Sequence, residues 1–144
     1  MYYFDSAHAA KCYLNDPDSE LVRDLVRIPV PLYSSALCIS EVSCAIHRRH
    51  RERQLTRAQA RALTATFRSH VELGTWKLIP VSESLLWEVH EALRSLPGSV
   101  CIRAGDAIHL IAPRTAGFTQ GWTNDRHMLD AARHFRVDGR SVSR

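Results

Sequence analysis

LYSSALCISEVSCAIHRRHRER, residues 32–53, changes character partway along and decides how the rest of the chain is read. Leu32–Leu37 reads as a short strand that follows Pro31. From Ile39 onward, Ile39, Val42, Ala45 and Ile46 recur at helical spacing and form one apolar face, with Glu41 in the first turn. A strand that runs straight into an amphipathic helix is the repeating unit of a parallel sheet.

The same unit recurs on both sides. Upstream, MYYF reads as a first strand that stops at Asp5 and enters a loop. Leu21, Val22, Leu25 and Val26 then predict a short helix, ended by Pro29 and Pro31. Downstream, a long helix is expected from Thr56 to Leu73 with Gly74 as its stop, followed by a third strand in WKLIPV. Ser82 should cap the helix SESLLWEVHEALRSL, which Pro97-Gly98 closes. GDAIHLIA predicts a helix that starts just after Gly105, with Asp106 in its first turn and its length limited by Pro113, and Gly117-Phe118 leads to a fourth strand ending at Trp122. TNDRHMLDAARHF is the last helix, capped by Thr123 or Asn124. This alternation implies an α/β fold in which helices cover both faces of a parallel sheet, as one domain over residues 1–144.

Composition narrows the function classes. Hydrophobic residues make up 45% and charged residues 24% of the 144, which excludes a disordered chain. No apolar run approaches the ~20 residues that span a bilayer, and no basic segment precedes Asp5, so a cytoplasmic protein without membrane contact is expected. Cys12, Cys38, Cys44 and Cys101 form no CxxC pair and read as reduced, mostly buried thiols. The three tryptophans, Trp76, Trp87 and Trp122, read as contributors of buried area. The net charge of +4 comes almost wholly from arginine, since Lys11 and Lys77 are the only lysines, and guanidinium suits phosphate recognition.

Asp5, Glu41, Asp106 and Asp125 each fall where a strand ends or a helix begins. In an α/β sheet, the loops after the carboxyl ends of strands line one crevice, so these acids can converge there. Each also has an ordinary reading, because carboxylates are favoured in first helical turns. Convergent carboxylates repel unless a cation lies between them, and an all-oxygen set suits Mg²⁺ or Mn²⁺. An ion so held would serve phosphodiester hydrolysis without a serine triad or a cysteine. In the metal-free site, mutual repulsion should raise the apparent pKa of the cluster as a unit. Lys11, Arg48, Arg49, Arg103 and Arg126 are the candidate phosphate contacts, against the alternative of solvated helix ends or, for Lys11, a pair with an acid. His47 and His50 share a helix face but lack the further ligands of a zinc site, and His109 and His127 are expected to fill or border the core.

YFDSAHAAKCY, SSALCISEVSCAIHRR, GDAIHLIA and TNDRHMLDAA, in that order, resemble the PIN domain, in particular the VapC-type ribonuclease toxins of bacterial toxin–antitoxin pairs. The resemblance covers essentially the whole chain. It implies a three-layer α/β/α sandwich with a mainly parallel sheet, and RNA cleavage with Mg²⁺ or Mn²⁺. Asp5, Glu41, Asp106 and Asp125 would be the acidic catalytic cluster, with Asp5, Asp106 and Asp125 as metal ligands and Ser6 and Thr123 as polar neighbours. It further implies a homodimer and neutralisation by a cognate VapB-like antitoxin. Two departures stand out: Pro113 directly follows the GDAIHLIA segment, and Asn124, before the final acid, is a further polar candidate as ligand or cap.

Other readings compete. A phosphatase of the haloacid dehalogenase type needs a second aspartate two residues after the first, where this chain has Ala7, and a receiver domain needs paired early acids. A non-catalytic RNA- or protein-binding module, and an RNA-processing nuclease without an antitoxin, share the same fold expectation.

Overall fold

A computed structural model describes residues 2–28 and 30–142. Met1, expected in the first strand, and Pro29, expected to stop a helix, lie outside the described residues. Strands β1 (Tyr2–Tyr3), β2 (Leu32–Ser35) and β3 (Trp76–Ile79) form a parallel sheet, with Tyr3 opposite Tyr33 and Leu32 opposite Trp76. Strands β4 (Gln120–Trp122) and β5 (Asp138–Arg140) pair in parallel. A parallel bridge between Phe4 and Trp122 joins the two sets, giving the spatial order β3-β2-β1-β4-β5.

Side chains alternate across a strand, and here the alternation separates two cores. Phe4, Leu32 and Trp76 pack on one face against helices α1 (Ser6–Lys11), α2 (Ser19–Leu25), α3 (Cys38–Arg51) and α4 (Arg57–Glu72), through Ala9, Val22, Val42, Ile46 and Phe67. Tyr3 and Tyr33 face the other way, against α5 (Glu83–Arg94), α6 (Ala104–Thr115) and α7 (Arg126–Ala132), through Leu85, Leu110, Ile111 and Met128. The result is a sheet between two helical layers, as the strand–helix alternation implies.

Several boundaries agree closely. Thr56 and Gln59 form a reciprocal capping box at the start of α4, and Gly74 follows that helix at φ 77°. Ser82 caps α5 through the Leu85 N–H.

Other expectations are corrected. The residues after Asp5 form α1 rather than a loop, because the Asp5 side chain caps the helix by accepting the His8 N–H at 2.7 Å. Pro113 does not end α6, which continues to Thr115; the ring is fully buried, and that packing offsets the one missing helical hydrogen bond. The last helix is capped by Asp125 instead of Thr123 or Asn124 and gives way to a 3-10 turn at Arg133–Phe135. Strand β5 had no sequence signal. Of the four free cysteines only Cys38 is buried, while Cys44 and Cys101 are exposed. Trp87 is 59% exposed, its ring edge-on to His90.

Candidate functional site

The strand order reverses between β1 and β4, since the chain leaves β1 toward β2 and β3 on one side and later returns to β4 on the other. Such a switch point opens a crevice at the carboxyl ends of the strands. Asp5 follows β1, and Thr123 to Asp125 follow β4.

Four helix N-termini meet there. Asp5 caps α1, and Asp125 caps α7 by accepting the N–H groups of His127 at 2.8 Å and Met128 at 3.1 Å. Glu41 and Asp106 lie in the first turns of α3 and α6, and Asp106 accepts the Arg103 N–H at 3.3 Å. Backbone N–H groups and the positive ends of the helix dipoles hold negative charge in these places. All four carboxylates line one cavity of ≈ 370 Å³, together with Ser6, Lys11, Arg48, Arg103 and His109. For Asp5, Asp106 and Asp125 the cap and the crevice coincide, since a backbone N–H fixes the carboxylate and the fold brings it to the cavity, whereas Glu41 makes no cap and is held by side chains.

Behind Glu41 lies a buried polar chain. The Ser6 hydroxyl donates to Glu41 Oε2 at 2.5 Å, and His109 Nε2 stands 2.9 Å from the same oxygen and 2.8 Å from Ser6 Oγ. His109 Nδ1 lies 3.0 Å from the Tyr3 hydroxyl. One proton arrangement satisfies every atom: Tyr3 donates to Nδ1, while Nε2–H donates toward Glu41 and Ser6. On the opposite side of Glu41 is Gly105, where a Cβ would stand 2.9 Å from Oε1.

The carboxylates do not share one electrostatic fate. Burial pushes Asp5 up, but hydrogen bonds from His8 and Thr123 outweigh it, and the group ends below its usual range. Burial likewise opposes the ionised form of Glu41, yet His109 and Ser6 hold its carboxyl below the usual value. Asp106 is raised, first by burial and then by the nearby charges of Asp125 and Asp5, against the Arg103 N–H that favours its anion. The rise expected of the cluster as a unit is met by Asp106 but not by Asp5 and Glu41, which have dedicated donors.

The remaining sequence candidates separate by place. Lys11 and Arg48 flank the crevice, with Lys11 Nζ 3.8 Å from Asp18. Thr123 is buried and receives the Asp125 N–H at 3.0 Å. Asn124 turns away from the crevice: its amide donates to Asp18 at 3.1 Å and accepts from Ser141 at 2.7 Å. Arg49 is paired with Asp16, and Arg126 projects into solvent with 91% of its side chain exposed. Of His109 and His127, both expected in or beside the core, His109 is there and His127 is exposed; sequence reasoning missed the bond from His109 to Glu41 and gave no site role to His8, Tyr3 or Gly105. The available signal for His109 was its i, i+3 relation to Asp106 on one helix.

The chain aligns over 91% of its length with Mycobacterium tuberculosis VapC20, a sarcin-ricin loop cleaving toxin, at a TM-score of 0.69, 16% identity and 95% coverage of that chain. The FitAB structure bound to an IR36 DNA fragment matches 99% of this chain and 95% of its own, at 0.70 and 14% identity. FitAcB from Neisseria gonorrhoeae matches 96% of each chain, at 0.65 and 13% identity. This is the PIN-domain fold. No protein-family profile and no curated protein sequence matches, so the likeness to PIN-domain toxins lies in the path of the backbone. Within that fold, no three His, Cys, Asp or Glu side chains among the described residues are arranged to hold one metal ion. The donors nevertheless suit a hard cation. They are carboxylate oxygens, the Asp106 anion is disfavoured by burial and by its neighbours' charge, and Mg²⁺ keeps several waters and takes only one or two carboxylates directly. No helix among the described residues is long and apolar enough to cross a membrane.

Proposed function

We propose that the chain is a divalent-metal-dependent endoribonuclease whose active site is the crevice at the β1–β4 switch point. The observation that carries this reading is the convergence of Asp5, Glu41, Asp106 and Asp125 on one cavity, with Asp106 raised by burial and then by the charges of Asp125 and Asp5. Asp5, Asp106 and Asp125 would hold Mg²⁺ or Mn²⁺. When bound, the ion supplies positive charge against the phosphate and makes attacking water more acidic.

The chain's own groups account for the remainder. Glu41, whose carboxyl His109 and Ser6 hold below its usual value, would accept a proton from the attacking water. Thr123 supports the Asp5 carboxylate through a side-chain hydrogen bond. Lys11, Arg48 and Arg103, on the crevice wall, orient the phosphate backbone by charge.

The fold neighbours support a toxin restrained by a cognate antitoxin, which would mask this crevice. A homodimer is the expected assembly, and Leu86, Trp87 and Leu93, exposed on α5, are apolar surface suited to it. The deciding experiment incubates purified protein with a mixed RNA pool plus Mg²⁺ or Mn²⁺, with EDTA, and with Asp106→Asn in parallel. Discrete products that need the metal and Asp106 are expected. Identical cleavage by the variant, or none under any condition, overturns the assignment.

A further inference from the structure

The positive charge of this chain is concentrated in one place. Residues 38–72, spanning α3 and α4, carry seven arginines against three glutamates, a surplus equal to the entire formal net charge of +4. Elsewhere twelve basic residues meet twelve acidic ones. Between the two helices runs a groove of ≈ 500 Å³, walled by His47 and His50 on α3 and by Arg57, Arg61 and Arg68 on α4, with no acidic residue in its lining. Arg68 is tied to Glu72 at 2.7 Å, whereas Arg57 and Arg61 have no ion pair among the described residues.

The placement of these two arginines works against the helix that bears them. Arg57 is the first residue of α4, where a cation meets the positive end of the dipole. Arg61 follows at i+4, the spacing at which like charges repel. A bound anion would relieve both.

Helix α3 forms a common wall. Glu41, Ala45 and Arg48 face the acidic crevice, while Ile46, His47 and His50 face the groove. A strand leaving the crevice past Arg48 therefore crosses one helix and meets a groove bordered by Arg57, Arg61 and Arg68. Ile46 is the sole large apolar side chain of the lining and is only 2% exposed, which leaves the arginines as its largest accessible side chains.

We propose that the α3–α4 groove binds backbone phosphates of the RNA substrate beyond the cleaved bond, with Arg57 and Arg61 as the principal contacts. The proposal rests on the ribonuclease reading. The test compares RNA affinity of the Asp106→Asn protein, used to prevent turnover, with the same protein carrying Arg57→Gln and Arg61→Gln, and with an Arg133→Gln control. The probes are single-stranded RNA of about 20 nucleotides, a trinucleotide that fits the crevice alone, and polyglutamate, over salt from about 50 to 200 mM.

For the long RNA, the double variant should weaken binding roughly 10- to 30-fold at 0.1 M salt and flatten the log–log salt slope by about 1.4, as expected for two lost single-strand phosphate contacts. Trinucleotide binding and thermal midpoint should not fall, and Arg133→Gln should bind like the parent. Unchanged affinity and slope in the double variant overturn the groove while leaving the nuclease reading intact. Absence of RNA binding by the parent overturns both. Loss of polyglutamate binding with RNA affinity retained would assign the groove to an acidic protein and overturn the proposal.

Discussion

The backbone N–H of Asp5 donates to the carbonyl of Trp122 at 3.1 Å, tying the end of β1 to the end of β4. Asp5 and Asp125 consequently open onto the same gap although they belong to opposite ends of the chain. The separation between them is set by backbone pairing and not by side-chain flexibility.

Gly105→Ala separates stability from activity. The added Cβ meets the end of the flexible Glu41 side chain at 2.9 Å, so the carboxylate must move while the backbone need not. Alanine also suits a helix better than glycine. The unfolding free energy should stay within about 0.5 kcal/mol of the parent or rise, and cleavage should fall at least about tenfold, equivalent to about 1.4 kcal/mol in the barrier. Urea unfolding and initial cleavage rates check both arms; full activity would show that Glu41 needs no fixed position.

Asp106→Asn should stabilise the metal-free protein at pH 8 while abolishing cleavage. A raised carboxyl pKa means that ionisation is disfavoured in the folded state. The penalty is fully present above the folded pKa and disappears as pH falls below the unfolded value of about 3.9. Melting curves at descending pH should show the variant's advantage shrinking; a variant less stable at pH 8 contradicts the burial and repulsion that disfavour the anion.

Asp5 has the opposite sign. Its carboxyl is held below the usual range, so its stabilisation is present above the unfolded value and is lost as pH drops through the folded one. Asp5→Ala removes the α1 cap and should lower stability by about 1–2 kcal/mol near neutrality. The deficit should narrow in acid, as followed by denaturant titration at several pH values. A constant deficit would mean that the cap, and not the charge, carries the effect.

His109→Ala leaves the buried Tyr3 hydroxyl without its side-chain partner and strips one donor from Glu41. A cost of about 2–4 kcal/mol is expected from the lost packing and the unpaired polar groups. Tyr3→Phe removes the hydroxyl alone and should cost about 1 kcal/mol. In the double variant the two costs should fall short of additivity, and strict additivity would indicate that the Tyr3–His109 bond contributes nothing.

The long helices were legible because α3, α4 and α5 each repeat apolar residues at helical spacing and two of them have side-chain caps. Short elements were not. Helix α1 is six residues of mostly alanine and histidine, and β5 is Asp-Gly-Arg, whose place in the sheet comes from the Thr123 N–H donating to Arg140 and from pairing with β4. The four carboxylates were legible from chemistry and position. Their surroundings were not, since no local pattern announces that Tyr3 and His109, far apart in sequence, meet behind Glu41. Asn124 illustrates the reverse error: adjacency to Asp125 suggested a role in the crevice, but its amide is held by Asp18 and Ser141.

The central strand is made first and completed last. β1 has β2 on one side and β4 on the other, so Asp5 gains its second neighbour only when residues 120–122 have arrived. Closing so long a loop carries an entropic cost that must be met before the contact rewards it, which makes this pairing a slow step of folding. A nascent chain that stops before β4 presents Asp5, Glu41 and Asp106 without the fourth carboxylate. Completion of the crevice thereby becomes a late event in the life of each molecule, timed by topology.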